Sequence, residues 1–124
     1  MNLKQISGNS QMKAKSAPTV TFNFLNGRIY FNEATALMLL LKAGDWIAFF
    51  QDEDNLHDWY FTKTKIDGSV ELKSVNKALT TTSGPIARKL LQSAGFDGTA
   101  GFFIAEKKVE GKYWKVLTDR AIRS

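Results

Sequence analysis

Cysteine is absent from the 124 residues, which excludes a disulfide framework, a cysteine-ligated zinc finger and a thiol nucleophile together. An unstapled chain suits a reducing compartment, and a cytoplasmic protein is expected. Long apolar runs are also missing: the longest, from Ala34 to Leu41, is interrupted by Thr35 and is far too short to span a bilayer. The opening "MNLKQISGNSQMKAKSAPTV" lacks the unbroken apolar core of a secretion signal. No G-x-S-x-G, H-E-x-x-H, P-loop or dinucleotide fingerprint occurs, so no catalytic residue, metal or cofactor is expected and the chain reads as a non-enzyme.

What is present is enough apolar residue for one core, 44% of the chain, and an uneven charge of +5. Residues 1–62 carry five Lys/Arg against six acids, whereas residues 63–124 carry twelve against six. A basic half is compatible with a polyanion partner, since Lys and Arg release counterions when they neutralise phosphates.

Residues 1–17 are polar and aperiodic and are expected to form a mobile arm ahead of a single compact domain, 18–124. From Thr19 the pattern has period two, with Val20, Phe22 and Phe24 on one face. Asn26-Gly27 is a strong signal for a type I′ hairpin, which makes Arg28 to Phe31 the return strand. Asn32 is placed to cap a helix from Glu33 to about Lys42, with Gly44 as its terminator. Ile47 to Phe50 and Trp59 to Thr64 read as two further strands around a polar connection. Because Ala34, Ala36, Leu37, Met38, Leu39, Leu40 and Leu41 leave the helix almost no polar stripe, it is expected to be covered on two sides.

The later chain repeats this order. A shift of 51 places Ala36 on Ala87, Leu39 on Leu90, Leu40 on Leu91, Ala43 on Ala94 and Gly44 on Gly95. After two inserted residues, Phe49-Phe50 falls on Phe102-Phe103, and Ser83 with Pro85 replaces Asn32 as helix start. The expected fold is α+β and β-rich: two β-α-β-β units, about 19–65 and 70–120, in a pseudo-two-fold arrangement whose helices cover one another.

The stretch "GRIYFNEATALMLLLKAGD" resembles the swapped-hairpin segment of the SpoVT/AbrB-like DNA-binding domains, a group that includes transition-state regulators, antitoxins and the duplicated MraZ proteins. Gly27, Arg28, Ile29 and Phe31 match the opening of the pattern, Leu39 and Leu41 its helix positions, and Gly44-Asp45 its close. Asn32 stands where the family usually has proline, and Ala36-Leu37 where members often carry DNA-contacting arginines. The resemblance implies a homodimeric or higher DNA-binding regulator that grips double-stranded DNA.

The basic residues expected to contact the nucleic acid are Arg28, Arg88, Lys89, Lys112 and Lys115. The alternative is a protein-interaction or structural module that keeps the fold without the DNA face, motivated by Ala36-Leu37. The outward members of Trp59, Tyr60, Phe61, Tyr113 and Trp114 either stack on nucleobases beside lysines or pack between repeats or protomers. His57 lies in the acidic stretch "DEDNLHDW", where a calcium loop would need glycine at 57 and glutamate at 63 but meets His57 and Lys63.

Overall fold

The computed structural model describes residues 17–122. The arm expected over 1–17 lies, apart from Ala17, outside the described residues. The elements run β1 (Thr19–Phe22), β2 (Arg28–Phe31), α1 (Glu33–Leu39), β3 (Trp46–Gln51), β4 (Trp59–Lys63), β5 (Val70–Glu71), β6 (Lys73–Val75), β7 (Ala78–Thr82), α2 (Gly84–Ser93), β8 (Ala100–Ile104) and β9 (Trp114–Ile122). The nine strands form one antiparallel sheet in the order β5-β3-β4-β9-β8-β1-β2-β7-β6. Only Leu72 separates β5 from β6, so one short stretch of chain reaches from one edge of the sheet to the other. The sheet is therefore nearly closed and barrel-like, and the described residues are β-rich with two helices.

Alternation of inward and outward side chains fills the interior from distant parts of the chain. Phe22, Phe31, Phe61 and Phe102 are fully buried, and their rings meet in tilted and edge-on pairs: Phe22 with Phe102 at 6.0 Å between centroids, Phe31 with Phe61 at 5.5 Å. Trp59 and Phe61 point inward while Tyr60 between them stays half-buried on the outer face, as period two requires.

Local chemistry explains where the helices start. Asn32 caps α1: its Oδ1 accepts from the Thr35 N–H at 3.0 Å and also from the Thr19 N–H at 3.1 Å, tying the helix to the first strand. Ser83 caps α2 through its hydroxyl oxygen and the Ile86 N–H, with Pro85 in the first turn.

Three local expectations are corrected. The α1 helix ends at Leu39, not near Lys42; Leu40 adopts φ 57°, ψ 45°, and the Leu41 N–H bonds to the Ala36 carbonyl, a Schellman closure with leucine in the place glycine favours. Gly44 (φ 95°) instead serves the turn into β3, its N–H bonding to the Leu72 carbonyl at 2.8 Å. The Asn26-Gly27 turn is not type I′, since only Gly27 has positive φ there; Asn23 holds a longer loop by accepting from the Leu25 and Asn26 N–H groups. Finally, the short α1 packs against β7 and β1, α2 against β1 and β2, and Leu37 of α1 and Leu40 just after it remain 68% and 80% exposed. The cover expected on a second side of α1 is not supplied at those two positions.

The pairing has a simple order. Grouped as hairpins, the sheet reads β1–β2, then β7–β6, then across Leu72 to β5 with β3–β4, then β9–β8, which returns to β1. Shifting the β1–β2 pair Phe22↔Ile29 by 51 positions gives Lys73↔Thr80, itself a pair of the β6–β7 hairpin.

Candidate functional site

The five basic residues singled out in the sequence are spread over three elements, β2, α2 and the start of β9. Arg28 opens β2 opposite Thr82 of β7 and is exposed. Arg88 and Lys89 lie on α2; Lys112 precedes β9 and Lys115 lies within it. In the sheet, β8 and β1 stand between β9 and β2, so the Lys115 strand does not adjoin the Arg28 strand.

Their surroundings differ as much as their positions. Arg88 is engaged by the fold: its Nε donates to the Phe24 carbonyl at 2.9 Å and its Nη2 to the Leu25 carbonyl at 3.0 Å, clamping the β1–β2 loop onto α2. Lys115 pairs with Asp58 at 3.5 Å and lies over the Tyr60 ring, while the Lys112 ammonium lies 5.0 Å from the centre of the Tyr113 ring. Lys89 is exposed on α2 and Arg28 exposed on β2; neither forms an ion pair among the described residues.

Arg28 lines a groove of about 450 Å³ where the two ends of the sheet approach each other. Its walls include Trp46, Ser69, Glu71, Lys73, Thr80 and Thr82. Register explains the grouping. Tyr30 and Lys73 both face Thr80 across β7, and Arg28 faces Thr82, so the outer side of β2–β7–β6 presents a basic, hydroxyl-rich row with Tyr30 39% exposed beside it. Trp46 faces Glu71 on the adjoining β3–β5 pair, and the Lys65 ammonium lies 5.1 Å from the Trp46 ring centre. Arg28 and Lys73 thus share the groove with one carboxylate, Glu71, and Lys65 stands beside it on the Trp46 ring. Sequence reasoning found Arg28 but missed Lys73, Trp46 and the two threonines. The legible signal was the alternation in "SVELKSV", which puts Leu72 inside and Lys73 outside; what joins Lys73 to Arg28 is non-local pairing.

His57 borders a second cleft, of about 500 Å³, with Asn55, Asp58, Lys115, Asp119 and Arg120 among its walls. Its Nδ1 lies 2.7 Å from the Ser93 carbonyl oxygen; a carbonyl only accepts, so Nδ1 carries a proton. The Trp59 indole donates to the Ser93 hydroxyl oxygen at 2.7 Å, that hydroxyl donates to the Leu90 carbonyl, and the Thr118 hydroxyl donates to the His57 carbonyl. These bonds latch the β3–β4 connection and β9 to the end of α2. Asp58 is committed to Lys115, and among the described residues no three His, Asp or Glu side chains are placed to hold a metal. His57 is thereby accounted for as a fastening of the fold.

No helix among the described residues is long and apolar enough to cross a membrane. No family model, curated protein or solved structure matches the chain.

Proposed function

We propose that this chain is a single-chain, duplicated relative of the SpoVT/AbrB-like swapped-hairpin barrels, and that it binds double-stranded DNA through the groove around Arg28. The fold half of this reading is supported by the alternation of hairpins: each hairpin of the first β-α-β-β unit is flanked by hairpins of the second, as two intertwined units require. The equal register of β1–β2 and β6–β7 after a shift of 51 supports the same duplication.

The observation that carries the functional half is the clustering of Arg28, Lys73 and Lys65 with Trp46, Thr80 and Thr82 on one surface. Cations give phosphate attraction, and the hydroxyls supply short polar contacts that fix register on the backbone. Arg28 is the leading contact. Lys89, Lys112 and Lys115 stand on other surfaces and add long-range attraction, and Arg88 serves chiefly to hold the loop that precedes Arg28.

A mobility shift with a mixed-sequence duplex at about 50 mM salt, where phosphate-driven binding is strongest, tests the reading. Binding by the native chain that is weakened by Arg28→Ala with Lys73→Ala, and retained by Lys112→Ala, is expected. No shift at that salt removes the reading.

A second reading, a protein-interaction module, rests on Leu25, Leu37 and Leu40, which are 85%, 68% and 80% exposed. Under it a homodimer or larger assembly forms through α1. Light scattering at increasing concentration distinguishes it: a mass that rises for the native chain and stays monomeric for Leu37→Ser with Leu40→Ser is its signature.

A further inference from the structure

On the outer side of β3, β4 and the β8–β9 loop lies a smaller pocket of about 240 Å³, lined by Phe50, Gln51, Asp52, Tyr60, Val109, Glu110 and Tyr113. Phe50 and Tyr60 are direct partners across the β3–β4 pair, so their side chains leave the same face of the sheet. Tyr113 arrives from the far side, its ring centre 5.4 Å from that of Phe50 and nearly perpendicular to it, at 77°. Three aromatic rings thus line the pocket, two of them edge-to-face.

Two carboxylates join them. Asp52 follows β3 and uses one oxygen, Oδ1, to accept from the Asp54 N–H at 2.8 Å. Glu110 lies at the tip of the β8–β9 loop, where it and Gly111 both have positive φ and the Val109↔Tyr113 bridge folds the loop back. Two of the rings hold an ammonium group of the protein on one face, Lys112 at 5.0 Å from the Tyr113 ring centre and Lys115 at 6.0 Å from that of Tyr60, so a ligand would use their other faces and that of Phe50. Lys115 is balanced by Asp58 at 3.5 Å.

We propose that this pocket is a binding site for an alkylated ammonium group, held by the faces of Phe50, Tyr60 and Tyr113 and by the charges of Asp52 and Glu110. Ring faces carry negative potential, and a methylated ammonium loses little hydration on entering an aromatic enclosure. A phosphate or carboxylate ligand would meet Asp52 and Glu110 instead. The same head group can come from a free amine or from a methylated lysine of a peptide, and the site is independent of the DNA groove.

The test is titration of the full chain, followed by amide and aromatic NMR shifts, with tetramethylammonium, choline and a short trimethyl-lysine peptide as probes. The neutral isostere of choline, in which a tert-butyl group replaces the trimethylammonium group on the same hydroxyethyl chain, is the control. Saturable shifts at Phe50, Tyr60, Tyr113 and Glu110 are expected with a cation, and weaker binding of the neutral analogue by at least about tenfold, the share that the ring potential contributes. Tyr113→Leu, which keeps bulk and loses the ring, and Glu110→Gln, which changes no shape, should each weaken binding while leaving the thermal transition in place. Binding of choline as tight as the peptide assigns a small-molecule amine; preference for the peptide assigns a methylated protein tail. No shift with any cation up to about 50 mM, or equal binding of the neutral analogue, overturns the proposal.

Discussion

At the scale of single residues, a few polar side chains do work in several elements at once. Asn32 is the clearest case. Its Oδ1 accepts from the backbone of Thr19 and Thr35 and lies 2.8 Å from the Thr35 hydroxyl, and its amide donates to the Ala17 carbonyl. Thr35, fully buried, has its single hydroxyl proton within reach of two acceptors, that oxygen and the Thr19 carbonyl. Asn32→Ala is therefore expected to lower the unfolding free energy by about 2 kcal/mol in urea denaturation, the upper end for losing a helix cap. Gly27 is constrained in another way. It has φ +74°, and an added Cβ would lie 2.6 Å from the Cα and N of Gly84, where the β1–β2 loop meets the start of α2. Gly27→Ala combines a left-handed conformation with a backbone clash, so a loss of about 2 kcal/mol or more is expected by the same measurement. The Asn32 and Ser83 caps could be read in the sequence because capping is a contact of three residues' reach. The closeness of Gly27 to Gly84 could not, because it joins two segments far apart in the chain.

At the scale of elements, local signals located the parts and misjudged some of their ends. The strands around Phe22, Ile29, Phe49 and Phe61 and the start of α2 follow the pattern of period and caps. The end of α1 does not, because Gly44 advertises a stop four residues beyond the one that Leu40 makes. Nothing in the letters "LMLLLKAG" marks the middle leucine as left-handed; packing decides it, since closing at Leu40 lets Leu41 turn into the core, where it is 8% exposed. Leu40 itself is almost fully in solvent and gains no packing for its strained backbone. Leu40→Asn is expected to raise stability by about 0.5–1 kcal/mol, read as a higher urea midpoint with an unchanged slope. A stabilised variant that no longer self-associates would assign Leu40 to a contact surface.

At the scale of the whole molecule, the governing feature is which hairpin lies beside which. The repeat of 51 is visible in the sequence as Ala36/Ala87 and Gly44/Gly95, yet periodicity has no bearing on whether two such units sit side by side or alternate. In the structure, hairpins from the two halves of the chain alternate around the sheet, with Leu72 carrying the chain between its two ends. That crossing sets the β3–β5 edge with Trp46 and Glu71 beside the β6–β7–β2 edge with Lys73 and Arg28, and so assembles the groove from residues that share no motif. Strands β8 and β1 meanwhile keep Lys115 of β9 apart from Arg28, although the sequence alone offers both as equivalent cations. The most direct measurement is the salt dependence of duplex binding by fluorescence anisotropy, comparing the native chain with Arg28→Ala and with Lys73→Ala. Each substitution should weaken binding to unrelated duplexes alike and reduce the slope of log affinity against log salt by about 1, one phosphate contact apiece. Slopes identical to that of the native chain would contradict a DNA interface at this groove.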